Sequence, residues 1–152
     1  MRIIRPPQAV PSEGIAVFLA GSIEMGLAAP WQDARSENLQ NTDLILLNPR
    51  RLDWDSSWRQ AADEPAFREQ VLWELQGMER AQLIVMYLDP ATKSPVSLLE
   101  LGLHARSGKL IVCCPDGFWR KGNVDITCLH HGVPQVADLA ALEAEIRRRL
   151  LP

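Results

Sequence analysis

Cysteine is scarce in this chain of 152 residues, which contains three, two of them the neighbours Cys113 and Cys114. Adjacent side chains on a strand point to opposite faces, so these two do not begin a disulfide framework. Cys128, His130 and His131 add no CxxC pair and no HxxxH spacing, and we therefore predict no metal site. A reducing compartment, the cytoplasm, is the simpler expectation.

Long runs of one charge or of apolar residues are also missing. The 16 Lys and Arg residues and the 19 Asp and Glu residues give a net charge of −3 without a basic block, which disfavours a nucleic-acid polymer as a partner. The apolar run that begins at Ile15 is interrupted at Glu24, so it is too short for a membrane span and makes a poor signal-peptide core. We therefore expect no membrane association.

Short apolar runs that end at Gly, Asn, Pro or Asp predict buried strands. The runs cover residues 15–20, 44–47, 83–88 and 110–114, and a shorter strand is predicted at 133–136. Segments of helical period lie between or after them, at about 31–41, 63–80, 95–107 and 138–150. This alternation predicts an α/β three-layer sandwich, Rossmann-like or flavodoxin-like, with a mainly parallel five-stranded sheet and helices on both faces.

The predicted helices carry apolar stripes and clear boundary signals. The second has Phe67, Val71, Leu75 and Met78 on one stripe, and the third has Val96, Leu99 and Leu103. Ser94 is the expected N-cap of the third helix, Pro95 its first residue and Gly108 the residue just beyond its end. Residues 1–14 are predicted to form a loose N-terminal arm, and residues 15–152 a single domain, since 47% hydrophobic residues suffice for one core.

The carboxyl ends of the strands are where an open parallel sheet binds ligands, at the point where the strand order reverses. The residues that follow the predicted strands are therefore candidates for substrate binding: Gly21, Ser22 and Ile23, then Asn48 and Arg50, then Asp89, and finally Arg120 and Asn123 in the loop 118–123. The Gly21 turn is neither GxGxxG nor a Walker A loop, so we expect no dinucleotide cofactor. A tight strand-to-helix turn is the alternative account of Gly21 and Ser22.

Aromatic and basic side chains add further candidates. Trp54 and Trp58 could stack on a base, although indoles also seal loops onto cores. Arg50, Arg51 and Arg120 could meet a phosphate if the substrate is a nucleotide, although such residues are more often surface charges. Asp89 precedes a proline, so a turn role competes with a catalytic one.

Glu100 lies one to two turns into the third predicted helix, near its positive end. That position favours an ionised carboxylate by roughly 0.3–1 kcal/mol. Its apolar neighbours leave two interpretations, a solvated face or a site at which the carboxylate is aimed. His104, four residues later, is either a group that tunes Glu100 or a surface histidine.

Several segments together resemble the nucleoside 2-deoxyribosyltransferase family, especially its poorly characterised bacterial branch. They read FLAGSI at 18–23, NPRR at 48–51, QVLWE at 70–74 and SPVSLLELG at 94–102, and the resemblance extends over about 15–136. Its most specific part leads through Ser97 to Glu-Leu-Gly, which implies that Glu100 is the family's nucleophilic glutamate and that Ser97 lies beside the substrate. The Asp-Ser-Gly-Thr usual in the family is replaced here by Lys-Ser-Pro-Val-Ser at 93–97.

The resemblance implies a two-step displacement at the anomeric carbon of a (deoxy)nucleoside. Glu100 would form a covalent glycosyl-enzyme, and a base or water would release the sugar with retention. Asp89 would handle the proton of the leaving base or hold the sugar. A nucleoside-monophosphate N-glycosidase and a non-catalytic nucleotide-binding module are the alternatives, the latter because the segment before Glu100 is altered. The resemblance also implies a homo-oligomer, a dimer or larger.

Overall fold

One parallel sheet of six strands forms the centre of the computed structural model, which describes residues 1–24 and 28–151. The strands are β1 (Arg2–Ile4), β2 (Ala16–Gly21), β3 (Ile45–Leu47), β4 (Leu83–Tyr87), β5 (Leu110–Cys113) and β6 (Gln135–Val136). Their order in the sheet is β1-β3-β2-β4-β5-β6. The helices are α1 (Trp31–Glu37), α2 (Pro65–Arg80), α3 (Pro95–His104), α4 (Lys121–His131) and α5 (Leu139–Leu150).

The helices cover both faces of the sheet. Successive strand side chains point to opposite sides, which creates two hydrophobic cores. One core contains Trp73 of α2, Leu101 of α3 and Val124 of α4. The other contains Trp31 of α1 and Leu142 of α5. The predicted three-layer α/β fold is therefore confirmed.

The second helix lies close to the sheet at Gly77. A Cβ atom at this position would be 2.8 Å from Cε2 of Phe18, so the Phe18 ring packs directly on the helix backbone. The Trp73 ring, one turn earlier, packs on Phe18 with 6.1 Å between ring centroids. The part of α2 that contains Glu74 is thereby fixed against β2.

Residues 2–4 form an edge strand, where the sequence predicts a loose arm, and this accounts for the additional strand. The Arg2 N–H donates to the Leu44 carbonyl, and the Ile4 carbonyl accepts from the Asn48 N–H. Ile3 and Ile4 pack on opposite cores. The arm is therefore held by both backbone pairing and apolar burial.

The apolar stripe predicted on α3 faces outward, with Val96, Leu99 and Leu103 exposed by 57%, 63% and 57%. The buried residues of α3 are instead Ser97, Glu100 and Leu101. Leu101 and Ala105 pack on the core, and a helix can turn only one side toward a sheet. The polar face of α3 therefore points inward.

The segment 118–123 was predicted to be a loop, but α4 begins within it at Lys121. Asn123 consequently lies in the first turn of a helix. None of the helices in residues 1–24 and 28–151 is long and apolar enough to cross a membrane.

Candidate active site

A cavity of about 540 Å³ lies at the carboxyl ends of β2 and β3, bounded by α2 and α3. Its volume falls within the range of small-molecule sites. The sheet order reverses at β2, which has β3 on one side and β4 on the other, so the cavity is at the position predicted for ligands. The described residues that line it are Gly21, Ile23, Glu24, Pro49, Arg50, Arg51, Leu52, Trp54, Gln60, Phe67, Gln70, Val71, Glu74, Ser94, Pro95, Val96, Ser97 and Glu100.

Glu100 faces this cavity from the second turn of α3 and is 8% exposed. Burial raises the pKa of Glu100 to about 8, and the nearby carboxyl of Glu74 acts in the same direction. The expected stabilisation of the ionised form by the helix end is thus outweighed by desolvation. Among the described residues, none donates a hydrogen bond to the Glu100 carboxyl, so it is available to a ligand.

Glu74 faces the same cavity from α2. Burial raises the pKa of Glu74 to about 7, and a hydrogen bond from Gln70 partly offsets this effect. In that bond Nε2 of Gln70 lies 2.7 Å from Oε1 of Glu74. Two carboxyls that titrate near neutrality therefore share one cavity, an arrangement common where proton transfer accompanies bond cleavage.

Gln70 holds the adjacent wall together. Its Nε2 also donates to the Pro49 carbonyl at 2.9 Å, which ties α2 to the loop after β3. Sequence reasoning gave no role to Gln70 or Glu74. Their spacing of four within QVLWE was the available signal, because it places both on one helix face with Phe67 and near Val71.

The turn after β2 needs a glycine and is built for close packing. Gly21 has φ +123°, and a Cβ atom there would overlap the Tyr87 carbonyl oxygen. Gly21 and Ile23 line the cavity. Ser22 is fully buried behind this wall, and the Tyr87 carbonyl accepts its N–H at 2.9 Å.

The Ser22 hydroxyl joins the end of β2 to the loop before α3. It accepts the Asp89 N–H at 2.8 Å and forms hydrogen bonds with the hydroxyls of Thr92 (2.9 Å) and Ser94 (2.6 Å). Ser22 thus has protein partners and is absent from the described lining.

Ser94 occupies the predicted N-cap position of α3, but it does not act as a side-chain cap. It has a left-handed conformation with φ 46°, and its side chain forms no capping bond. The reason is that its hydroxyl bonds Ser22 and Thr92, while its N–H donates to Oε1 of Glu24 at 2.6 Å. Both Ser94 and the buried Ser97 line the cavity.

Asp89 and the residues after β5 lie outside the described lining. The Asp89 carboxylate accepts the Ala91 N–H at 2.9 Å within the turn that follows β4. The Arg120 guanidinium lies 4.5 Å from the Trp119 ring centroid, and Asn123 is exposed on α4. The structure therefore does not bring these three together with Glu100.

Arg50 reaches the cavity with support from Asn48. Asn48 is fully buried, its Oδ1 accepts the Arg50 N–H at 2.9 Å, and its Nδ2 donates to Asp33 at 3.1 Å. The Arg50 guanidinium donates to the Ala28 carbonyl at 2.6 Å. Burial lowers the pKa of Arg50, while the Asp33 carboxylate opposes this shift.

An aromatic wall faces the carboxyl pair. Trp54 lines the cavity and packs edge-to-face on Trp58 with 5.2 Å between ring centroids. Arg51 lies over Trp58 at 5.0 Å from the centroid, and Phe67 adds a second ring to the lining. Such a surface can stack on a planar base. Within the part of the chain that the structure describes, no group of His, Cys, Asp and Glu side chains is placed to hold a metal ion.

A family model described as "Nucleoside 2-deoxyribosyltransferase like" matches residues 14–118. The chain belongs to this family. The matched range includes both Glu74 and Glu100, and it confirms the resemblance indicated by the segments around Gly21 and Glu100. No protein with curated functional information matches the chain.

The fold of this nucleoside 2-deoxyribosyltransferase-like chain also occurs in a solved structure, described as a conserved protein from Enterococcus faecalis V583. The two have a TM-score of 0.62 and 15% sequence identity, over 90% of this chain and 99% of that chain. At this identity the similarity shows the fold alone.

Proposed function

We propose that the protein cleaves or exchanges the N-glycosidic bond of a (deoxy)nucleoside, with Glu100 as the nucleophile. One observation carries this proposal: a buried carboxyl that receives no hydrogen bond from the described residues faces a nucleoside-sized cavity, in a chain of this family. A mainly structural carboxyl would be expected to have a partner, because unpaired buried carboxyls are costly.

The first step forms a glycosyl ester. An oxygen of ionised Glu100 attacks the anomeric carbon, the C–N bond breaks, and its electron pair goes to the base nitrogen. Protonated Glu74 gives its proton to the leaving base. In the second step water or another base attacks the anomeric carbon, Glu74 takes up the released proton, and the bond to Glu100 breaks. Two inversions give net retention.

We assign the role of proton donor to Glu74 and not to Asp89. The Glu74 carboxyl lines the cavity and interacts electrostatically with Glu100. Asp89 is occupied in its turn and lies outside the described lining. Ser22 and Asn48 support the cavity walls, whereas the lining residues proposed to contact the nucleoside are Gly21, Ile23, Arg50, Trp54 and Ser97.

A nucleoside-monophosphate N-glycosidase is the second candidate, because Arg50 and Arg51 line the cavity and could receive a phosphate. Arg51, however, already pairs with Asp53 at 2.7 Å and Glu69 at 2.8 Å. The nucleoside is therefore the favoured substrate. Faster turnover of monophosphates than of nucleosides would reverse this order.

We also propose that the chain forms a homo-oligomer through α3. The stripe of Val96, Leu99 and Leu103 is exposed on the helix that carries Glu100, and contiguous apolar patches commonly mark interaction surfaces. Self-association at this face would place a second copy beside the cavity, since Val96 belongs to both the stripe and the lining.

The proposal is tested by base release from a panel of deoxynucleosides. Glu100→Gln removes the nucleophile with little change of shape, so kcat should fall by about 10³-fold or more. Glu37→Gln, the same change at an exposed position of α1, serves as the matched control and should leave kcat unchanged. Wild-type turnover in a folded Glu100→Gln variant would reject the catalytic role. Tight nucleotide binding without base release would instead support the binding module.

A further inference from the structure

The buried side-chain carbonyl oxygen of Gln70 has no partner among the described residues. Gln70 is 6% exposed, and its Oε1 is enclosed yet accepts no hydrogen bond from that part of the chain. Most buried polar atoms are paired, so an isolated acceptor beside a cavity calls for an explanation.

Rotation of the Gln70 amide by about 180° would not give the side chain a better set of hydrogen bonds. Nε2 donates to both the Pro49 carbonyl and the Glu74 carboxyl, which uses its two hydrogens. A reversed amide would place the carbonyl oxygen against the Pro49 carbonyl, which cannot donate. Oε1 is therefore held in place, and its only capacity is to accept.

We infer that Gln70 determines substrate specificity by accepting a hydrogen bond from a donor group of the nucleoside. This inference rests on the proposed function. The donor is either an amino group of the base or a hydroxyl of the sugar. Either group would donate a hydrogen bond to Oε1. Gln70 contacts Pro49, in the loop after β3, and Glu74, the proposed acid, so it lies beside groups that line the cavity.

A ligand without the donor would leave Oε1 unpaired. The binding free energy lost in this way is larger than the free energy gained from an ordinary exposed hydrogen bond. Selectivity for the donor therefore follows from the preformed orientation of the amide. An acceptor presented at the same place would be repelled.

The test compares ligands and variants in the Glu100→Gln background, so that binding is measured without turnover. Deoxyadenosine and deoxycytidine are titrated calorimetrically beside analogues that lack the amino group, the 3′-hydroxyl or the 5′-hydroxyl. In the protein with Gln70, deletion of the correct donor should weaken binding by about tenfold. In Gln70→Met, which has similar length but no acceptor, the same deletion should have little effect.

The analogue whose penalty disappears identifies the donor as base or sugar. Gln76→Met is the control, because Gln76 is exposed on the same helix, and it should retain the penalty. If Gln70→Met leaves the penalty unchanged for every analogue, the inference is overturned, and a bound water is left as the partner of Oε1.

The ligand series also tests the inference without any change at position 70. If all analogues bind the Gln70 protein as tightly as their parents, or if neither parent binds, the inference is overturned. Base release by the otherwise wild-type enzyme is measured separately. Its absence rejects the proposed function, whereas its presence together with equal binding of all analogues rejects the role of Gln70 alone.

Discussion

Glu74 and Glu100 both titrate near neutral pH because burial disfavours their ionised forms. Burial raises the pKa values to about 7 for Glu74 and about 8 for Glu100. Since the Glu74 carboxylate opposes ionisation of Glu100, the two carboxyls titrate as a coupled pair. Near neutrality the pair holds at least one proton, mainly on Glu100, whose pKa is the higher of the two. The proposed first step therefore uses the less populated form, in which Glu74 carries the proton.

A bell-shaped pH profile of kcat/KM should follow, with its maximum between about pH 7 and 8. At lower pH both carboxyls are protonated and no nucleophile exists. At higher pH both are ionised and no acid exists. In Glu74→Gln no acid is left to ionise, so the alkaline limb should disappear and a single rise should remain, at the pKa of Glu100, which falls below about 8 because the opposing charge is gone. An alkaline limb that persists in this variant would contradict the role of Glu74 as the acid.

Glu100 was predictable from the sequence because the segment that contains Glu-Leu-Gly resembles the nucleoside 2-deoxyribosyltransferase family. The sequence could not separate Ser22 and Asn48 from true lining residues. Both follow strands, as ligand-binding residues do, but their polar groups bond to Ser94 and Arg50 in the protein itself. Whether a polar atom after a strand meets a ligand or a neighbour is decided by tertiary packing.

At the scale of elements, the turn after β2 depends on backbone proximity. Gly21 pairs with Tyr87 in the parallel register of β2 and β4, and the missing Cβ lets the two strands end side by side. The loop to α3 is then joined through Ser22. The shape of the cavity floor therefore depends on Gly21.

Gly21→Ala should lower the free energy of unfolding by roughly 3 kcal/mol or more, since strain at positive φ is added to a clash with backbone. Gly108→Ala provides the control, because Gly108 has φ +74° but open space around its Cβ position. It should cost about 1 kcal/mol. Urea denaturation measures both. Equal losses would show that the contact with Tyr87 relaxes easily.

Most helices and strands were predictable because their hydrophobic periods are local. The first residue of α2 was placed within two positions and that of α3 correctly. The edge strand β1 was missed because its three residues precede prolines and acquire strand structure only by pairing with β3. The sequence does not reveal which face of α3 is buried. An apolar stripe is expected to face the core, but the stripe around Leu99 is exposed.

At the scale of the whole molecule, the exposed stripe on α3 bears on assembly. Light scattering should give a mass of at least twice 17.0 kDa. Leu99→Lys places a charge in the proposed interface and should reduce the mass to that of one chain. Leu129→Lys, at an 83% exposed position on α4, should leave the mass unchanged. A wild-type monomer would rule out the assembly.

Gly77, one turn after Glu74 on α2, connects the packing of this helix on the sheet with the proposed pair of acids. No side chain stands between the Gly77 backbone and the Phe18 ring, so the helix packs closely on the sheet one turn away from Glu74. A methyl group added at Gly77 would push the helix outward and separate the two acids without entering the cavity. The pKa of Glu100 should therefore respond to a change at Gly77, although Gly77 is not among the described residues that line the cavity.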